Sequence, residues 1–172
     1  MLGAASLAAA TTQPKPLDAR VKAAFLPKFA AYVNWPPSVL GAPDDPLVLC
    51  IIGRDPFGPD LDETAARQHV DQRPLLVRRI ESTAGAGRCH IAFLGGSAKQ
   101  STNMMRDALQ GQPVLTVTDA SLGNGRGMVH FEVKEGRVRF HVDDALAARS
   151  NLGISARLLS LAISVKARTR MS

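Results

Sequence analysis

Residues 46–53, PLVLCIIG, run without a polar side chain for the length of a strand and stop at a glycine. A strand that is apolar on both sides needs cover on both sides, the condition met by a parallel sheet lying between helices. CHIAFLG (89–95) and PVLTVTD (113–119) are runs of the same kind, and RPLLVRRI (73–80) reads as another strand. Between them, GPDLDETAARQ (58–68) and SAKQSTNMMRDALQG (97–111) have helical character, the second closed by Gly111. Strands alternating with helices predict an α/β fold with a mostly parallel sheet and helices on both faces.

The segment GMVHFEVKEGRVRFHVDD (127–144) alternates strictly about Glu135-Gly136, a two-residue hairpin turn. That register pairs Val133 with Val138 and Phe131 with Phe140 on one face. Glu132 then faces Arg139, and His130 faces His141, on the other. The parallel sheet therefore gains a C-terminal antiparallel hairpin. Ahead of the strands, residues 17–34 place Val21, Phe25, Phe29 and Val33 four apart, one apolar helix stripe with Asp18 at its start. Pro27 falls inside this helix, removes its hydrogen bond to Ala23 and predicts a kink. After the hairpin, DDALAARS and ISARLLSLAISVK predict two short helices, the second with Ile154, Leu158, Leu161 and Val165 on one side.

A chain of 172 residues suits one domain. We place an α/β sandwich at 17–167, a leader at 1–16 and a basic tail at 168–172. The leader begins apolar and ends Ala8-Ala9-Ala10, like the back half of a secretory signal, although it lacks a basic start. It reads either as a signal remnant, with an exported protein beginning near Thr11, or as a disordered Ala-rich leader. No other stretch approaches the roughly 18 apolar residues of a membrane span. The net charge of +6 suits an acidic partner, a membrane surface or nucleic acid without choosing among them. Beyond Asp144 the cations Arg149, Arg157, Lys166, Arg168 and Arg170 follow unopposed, which reads as a weak basic patch on a solvated face.

The residues argue against catalysis and against a cofactor. GRDPFG (53–58) lacks the three glycines of a dinucleotide fingerprint, and Asp55 would repel a phosphate. The Gly-Gly-Ser turn at 95–97 could offer N–H groups to an anion, but it also fits ordinary turn chemistry. His130 and His141 lack a third ligand, since Glu132 is expected to engage Arg139. His69 and His90 have no evident partner. No nucleophile elbow and no cysteine in a reactive turn is present. Cys50 and Cys89, each in or beside a strand-like run, are either two small core residues in a reducing compartment or, if their strands are neighbours, a disulfide in an oxidising one.

Taken in order, VKAAFL-x-KFAAYVNWP, LCIIGRDPFG…LD, RPLLVRRI, CHIAFLG, G-x-PVLTVTDA, GRGMVHFEVKEGRVRFHV and LGISARLLSLA resemble the YfiR family over about residues 20–166. The resemblance implies a periplasmic, non-enzymatic regulator that binds the periplasmic domain of an inner-membrane diguanylate cyclase and represses it. It implies protein partners rather than nucleic acid: the cyclase, an OmpA-like outer-membrane lipoprotein that sequesters the repressor, and a second copy in a homodimer. Cys50 and Cys89 match the family's strand cysteines. A second cysteine pair found in some members is absent, with Asn124 and Phe131 in that region.

GRDPFG then reads first as a structural turn, with Phe57 packing back on the sheet. Its second role is a partner-binding rim in which Arg54 and Asp55 join Gly96, Ser97 and Asp119 at strand ends. Partner-binding candidates are Arg54, Asp55, Phe57, Arg139 and Arg157. No residue is assigned to a metal. The alternative is a periplasmic small-molecule sensor with its pocket at that rim.

Overall fold

The apolar runs become the middle of a mixed sheet. A computed structural model of the protein describes residues 16–170. All of the expected leader except Pro16 lies outside the described residues, as do the last two residues of the tail. In chain order the elements are α1 (Leu17–Lys28), β1 (Val33–Asn34), β2 (Leu47–Gly53), α2 (Pro59–Ala66), β3 (His69–Val70), β4 (Arg73–Ile80) and β5 (Ile91–Gly96). There follow α3 (Thr102–Ala108), β6 (Leu115–Asp119), β7 (Val129–Lys134), β8 (Arg137–Asp143), α4 (Asp144–Arg149), β9 (Gly153–Ile154), α5 (Ala156–Leu161) and β10 (Ser164–Lys166). Eight strands form one sheet in the order β10-β8-β7-β6-β5-β2-β4-β3, and β1 pairs with β9 in a two-stranded antiparallel ribbon. β4, β2, β5, β6 and β7 are mutually parallel, which makes the fold α/β.

The hairpin takes the register that its alternation demands: Phe131 opposes Phe140, Val133 opposes Val138, and His130 opposes His141. Glu135 and Gly136 both have positive φ, 52° and 72°, as a two-residue hairpin turn requires. Its apolar face joins the larger core, where Phe29 of the segment after α1 packs edge-on to Phe140 and tilted against Phe131. The smaller core lies on the other side of the sheet, where Met105 and Leu109 at α3 cover Cys50, Ile52, Ala92 and Leu94.

Cys50 and Cys89 are buried and bonded, their Cα atoms 5.8 Å apart. The bond ties the approach to β5 onto the middle of β2. The next residue extends the tie. His90 accepts from Val48 N at Nδ1 (2.9 Å), donates from Nε2 to Val39 O (2.7 Å), and offers its own carbonyl to Trp35 Nε1 (3.1 Å). Here the sequence reading is corrected, because both ring nitrogens of His90 have partners. Burial, helped by the Arg73 charge and resisted by the bond to Val39, holds its pKa below the ordinary value.

Five further expectations change. The buried face of α1 carries Lys22, Ala23 and Leu26, continuing through Phe29, Ala30 and Val33, so Val21 and Phe25 flank the stripe. The α-helix ends one residue past Pro27, and the chain continues as a 3₁₀ turn at Phe29–Tyr32. The predicted helix over 154–166 is divided: Ile154 pairs with Val33 in the ribbon, and only Ala156–Leu161 is helical. Ser164–Lys166 then adds a parallel edge strand to β8. Helix α3 is shorter than expected, because Ser101 caps it by accepting from Met104 N. Finally, the acid before the C-terminal cations is not idle. Arg168 clamps the buried Asp144 with two nitrogens, at 2.8 and 2.5 Å.

Candidate functional site

β2 leads through α2 towards β4 on one side, while β5 leads through α3 to β6 on the other. The gap between the C-terminal ends of β2 and β5 is therefore the topological switch point, where open α/β sheets form their crevices. A cleft of about 550 Å³ opens there, lined by Arg54, Glu81, Ser82, Ser97 and Lys99 over Gly53 and Gly96. The two loops nearly touch. A Cβ on Gly53, whose φ is +83°, would stand 2.2 Å from the Gly96 carbonyl oxygen. Arg54 N donates to that same oxygen (2.9 Å). Gly53 is thus required for close approach as well as for its backbone angle.

Arg54, Asp55 and Ser97 of this rim are bonded to the chain itself. Arg54 donates from Nε to Gly95 O (3.2 Å) and from its NH2 group to Leu122 O (3.3 Å), so an exposed guanidinium is held across the strand ends. Asp55 Oδ1 accepts from Phe57 N (2.8 Å) and Gly58 N (3.1 Å), and Oδ2 accepts from Arg79 Nε (2.7 Å). Arg79 also grips both carboxylate oxygens of Asp62 and the Gly58 carbonyl. Partial burial works against the Asp55 charge. Arg79 and the two N–H groups outweigh it, and the carboxyl stays below its ordinary pKa. Phe57 has no exposed surface and packs edge-on to Phe93 at 4.7 Å. It fastens the turn from beneath and presents nothing to a partner. The Gly-Gly-Ser turn is likewise closed, with Ser97 N donating to Gln100 O (2.8 Å) and Ser97 Oγ accepting from Gln100 N (3.1 Å).

Asp119 is not a rim residue. It is 3% exposed and bonded to Lys22 Nζ at 2.7 Å, with Lys22 buried to the same degree. The pair joins α1 to the end of β6, and Ser121 donates to Asp119 from both N and Oγ. A buried lysine among alanines on a helix gives no warning in the sequence, because lysine ordinarily marks the solvated side.

Arg139 and Arg157 stand apart from the rim. Four strand spacings of about 4.8 Å separate β8 from β2, which puts the Arg139 strand roughly 19 Å away. Both side chains are exposed and, among the described residues, neither forms an ion pair. Glu132, expected to engage Arg139, lies 3.1 Å from His141 Nε2 instead, and His130 bonds Thr118 Oγ1 at 2.8 Å. The sheet's edge beside Arg139 is apolar and open. Leu161, Ile163 and Val165 are 57%, 39% and 40% exposed along α5 and β10, and Ile163 N bonds Phe140 O at the join.

Compared with known families, residues 19–163 match the model described as YfiR/HmsC-like. The chain belongs to the YfiR/HmsC-like family. No curated protein matches it. The matched span contains the disulfide, the rim and the Lys22–Asp119 pair, so each is a feature of this family member's domain. Among its described residues, no group of three or more His, Cys, Asp and Glu side chains is placed to hold a metal ion. No helix among them is long and apolar enough to cross a membrane.

Proposed function

We propose that this YfiR/HmsC-like protein is a periplasmic, non-enzymatic regulator that binds the periplasmic domain of an inner-membrane diguanylate cyclase and represses it. Family membership supports the regulatory class. The observation that carries partner binding is the open β10 edge: three exposed apolar side chains lie along it, with Arg139 on the neighbouring strand and Arg157 on α5, neither of which is used internally. Arginines next to apolar surface on rigid elements are what protein interfaces use as anchors. Capture of the same repressor by an OmpA-like lipoprotein would then release the cyclase.

The test is binding of the cyclase's periplasmic domain to Arg139→Glu, Arg157→Glu and Arg54→Glu. The edge reading expects the first two to weaken binding at least about tenfold with the melting temperature unchanged. Arg54→Glu should act less, through the loops it ties. Normal binding by both edge variants would move the interface elsewhere.

A second reading, a small-molecule sensor, is favoured by the cleft at the switch point. A specific ligand that raises the melting temperature, and whose effect is lost in Ser97→Trp, would support it.

A further inference from the structure

The opposite end of the sheet holds a second cleft, of about 310 Å³, between the C-terminal end of α3, the start of β6 and β7, and α4. Its charges are set differently from those at the rim. Of the three arginines lining it, Arg106 is spent on Asp107 at 2.9 Å. Arg126 and Arg149 are exposed and, among the described residues, bond no carboxylate. Two acids also line the cleft, and both are engaged. Asp107 holds Arg106, and Asp143 caps α4 by accepting from Leu146 N (2.8 Å) while Lys166 stands 4.0 Å from its other oxygen. The lining itself therefore keeps one net positive charge, and two guanidinium groups without a carboxylate bonded to them.

The wall supplies a second, independent sign. Ser150, at the end of α4, is completely buried, yet its Oγ has no hydrogen-bond partner. A buried hydroxyl left unbonded forfeits its hydration without replacement, so such groups are rare unless something absent completes them. The rest of the lining is apolar at Leu109, Met128 and Leu146 and polar at Gln110 and Thr116. Unneutralised guanidinium groups and a free hydroxyl beside aliphatic surface are complementary to an oxyanion attached to an apolar body.

We propose that this cleft binds a small ligand with one oxyanion head, held by Arg126, Arg149 and the Ser150 hydroxyl, and an apolar body against Leu109, Met128 and Leu146. Such a ligand bridges α3 to α4, two elements that do not otherwise share a core. The site is about a sheet's length from the rim and does not use the β10 edge, so its test is independent of whether the protein represses a cyclase.

The experiment is calorimetric titration of the isolated protein with phenyl phosphate, benzoate and the uncharged benzyl alcohol. Saturable binding of either anion at least about tenfold tighter than benzyl alcohol is expected, and the tighter of the two identifies the head group. Arg126→Gln and Arg149→Gln should each weaken that binding by about tenfold, whereas Arg157→Gln, an equally exposed arginine on α5, should leave it unchanged. Ser150→Ala separates a ligand contact from a structural one: it should keep or raise the melting temperature of the free protein while weakening the anion several-fold. Equal binding of the anions and the alcohol, no saturation by either anion at millimolar concentration, or indifference to both Arg126→Gln and Arg149→Gln would overturn the proposal.

Discussion

The rim with its adjoining turn at the C-terminal strand ends and the cleft at the N-terminal ends both carry arginines, and they use them in opposite ways. At the rim and the turn beside it, Arg54 and Arg79 spend their donors on carbonyls and carboxylates of neighbouring segments. At the cleft, Arg126 and Arg149 have no carboxylate partner among the described residues, and a buried serine hydroxyl beside them is unbonded. A cation at a strand end is thus not a binding residue by type. What distinguishes the two regions is whether the fold already satisfies it.

Breaking the rim's supports should therefore unfold the protein, whereas breaking the cleft should not. The largest losses are expected where the strand ends are fastened from inside. Phe57→Ala empties a fully buried ring site against Phe93 and should cost roughly 3–5 kcal/mol in denaturant unfolding. Lys22→Ala leaves Asp119 charged and buried, and should cost about 3–5 kcal/mol. A loss below about 1 kcal/mol in both would show that these buried contacts are not what holds the strand ends.

Next comes the disulfide. It closes a separation of 39 residues, for which the chain-entropy model gives about 4 kcal/mol. Cys50→Ala with Cys89→Ala should lose stability on that scale. Thiol labelling of denatured, unreduced protein should find no free cysteine, and two labelled thiols would contradict the bond.

A smaller effect is expected from pH. Burial holds the folded pKa of His90 low, and burial with the Arg126 and His141 charges does the same for His130. In the unfolded chain both groups titrate near about 6.5. Between the folded and unfolded values the unfolded chain binds more protons, so stability is full above about pH 6.5 and falls as the pH drops below it. The melting temperature should decline from about pH 7.5 to about pH 5.5, and His90→Gln should flatten part of that decline while lowering the whole curve. A melting temperature that is flat over this interval would mean that neither histidine is held neutral by the fold. The smallest effects belong to the cleft. Arg126→Gln and Arg149→Gln should shift the stability of the free protein by no more than about 0.5 kcal/mol. A larger loss would place them in the fold's own bonding and erase the contrast with the rim.

The period of the sequence carried much of this architecture. Strict alternation about Glu135-Gly136 set the hairpin register residue by residue, and RPLLVRRI is the strand Arg73–Ile80 without adjustment. Patterning failed where tertiary pairing won. The stripe through Ile154, Leu158, Leu161 and Val165 looks helical, but Ile154 and Val165 find better partners in the backbones of Val33 and Val142. Of the candidate site, GRDPFG was legible as a turn. Its clamp Arg79 was not, because the partners of a strand arginine lie in segments that the sequence does not place beside it. His90 and Lys22 were missed because each is a polar residue inside an apolar surrounding whose buried partners include atoms 42 and 97 positions away.

Above both regions stands the claim that the protein regulates a membrane diguanylate cyclase through the edge bearing Arg139 and Arg157. The most direct measurement is cyclic-di-GMP in a strain lacking this gene, restored with either the wild-type copy or Arg139→Glu, at matched expression. The account predicts a raised level on deletion, a return to the parental level with the wild-type copy, and failure of Arg139→Glu to restore it. An unchanged level on deletion, in a strain that makes the protein, would contradict the account.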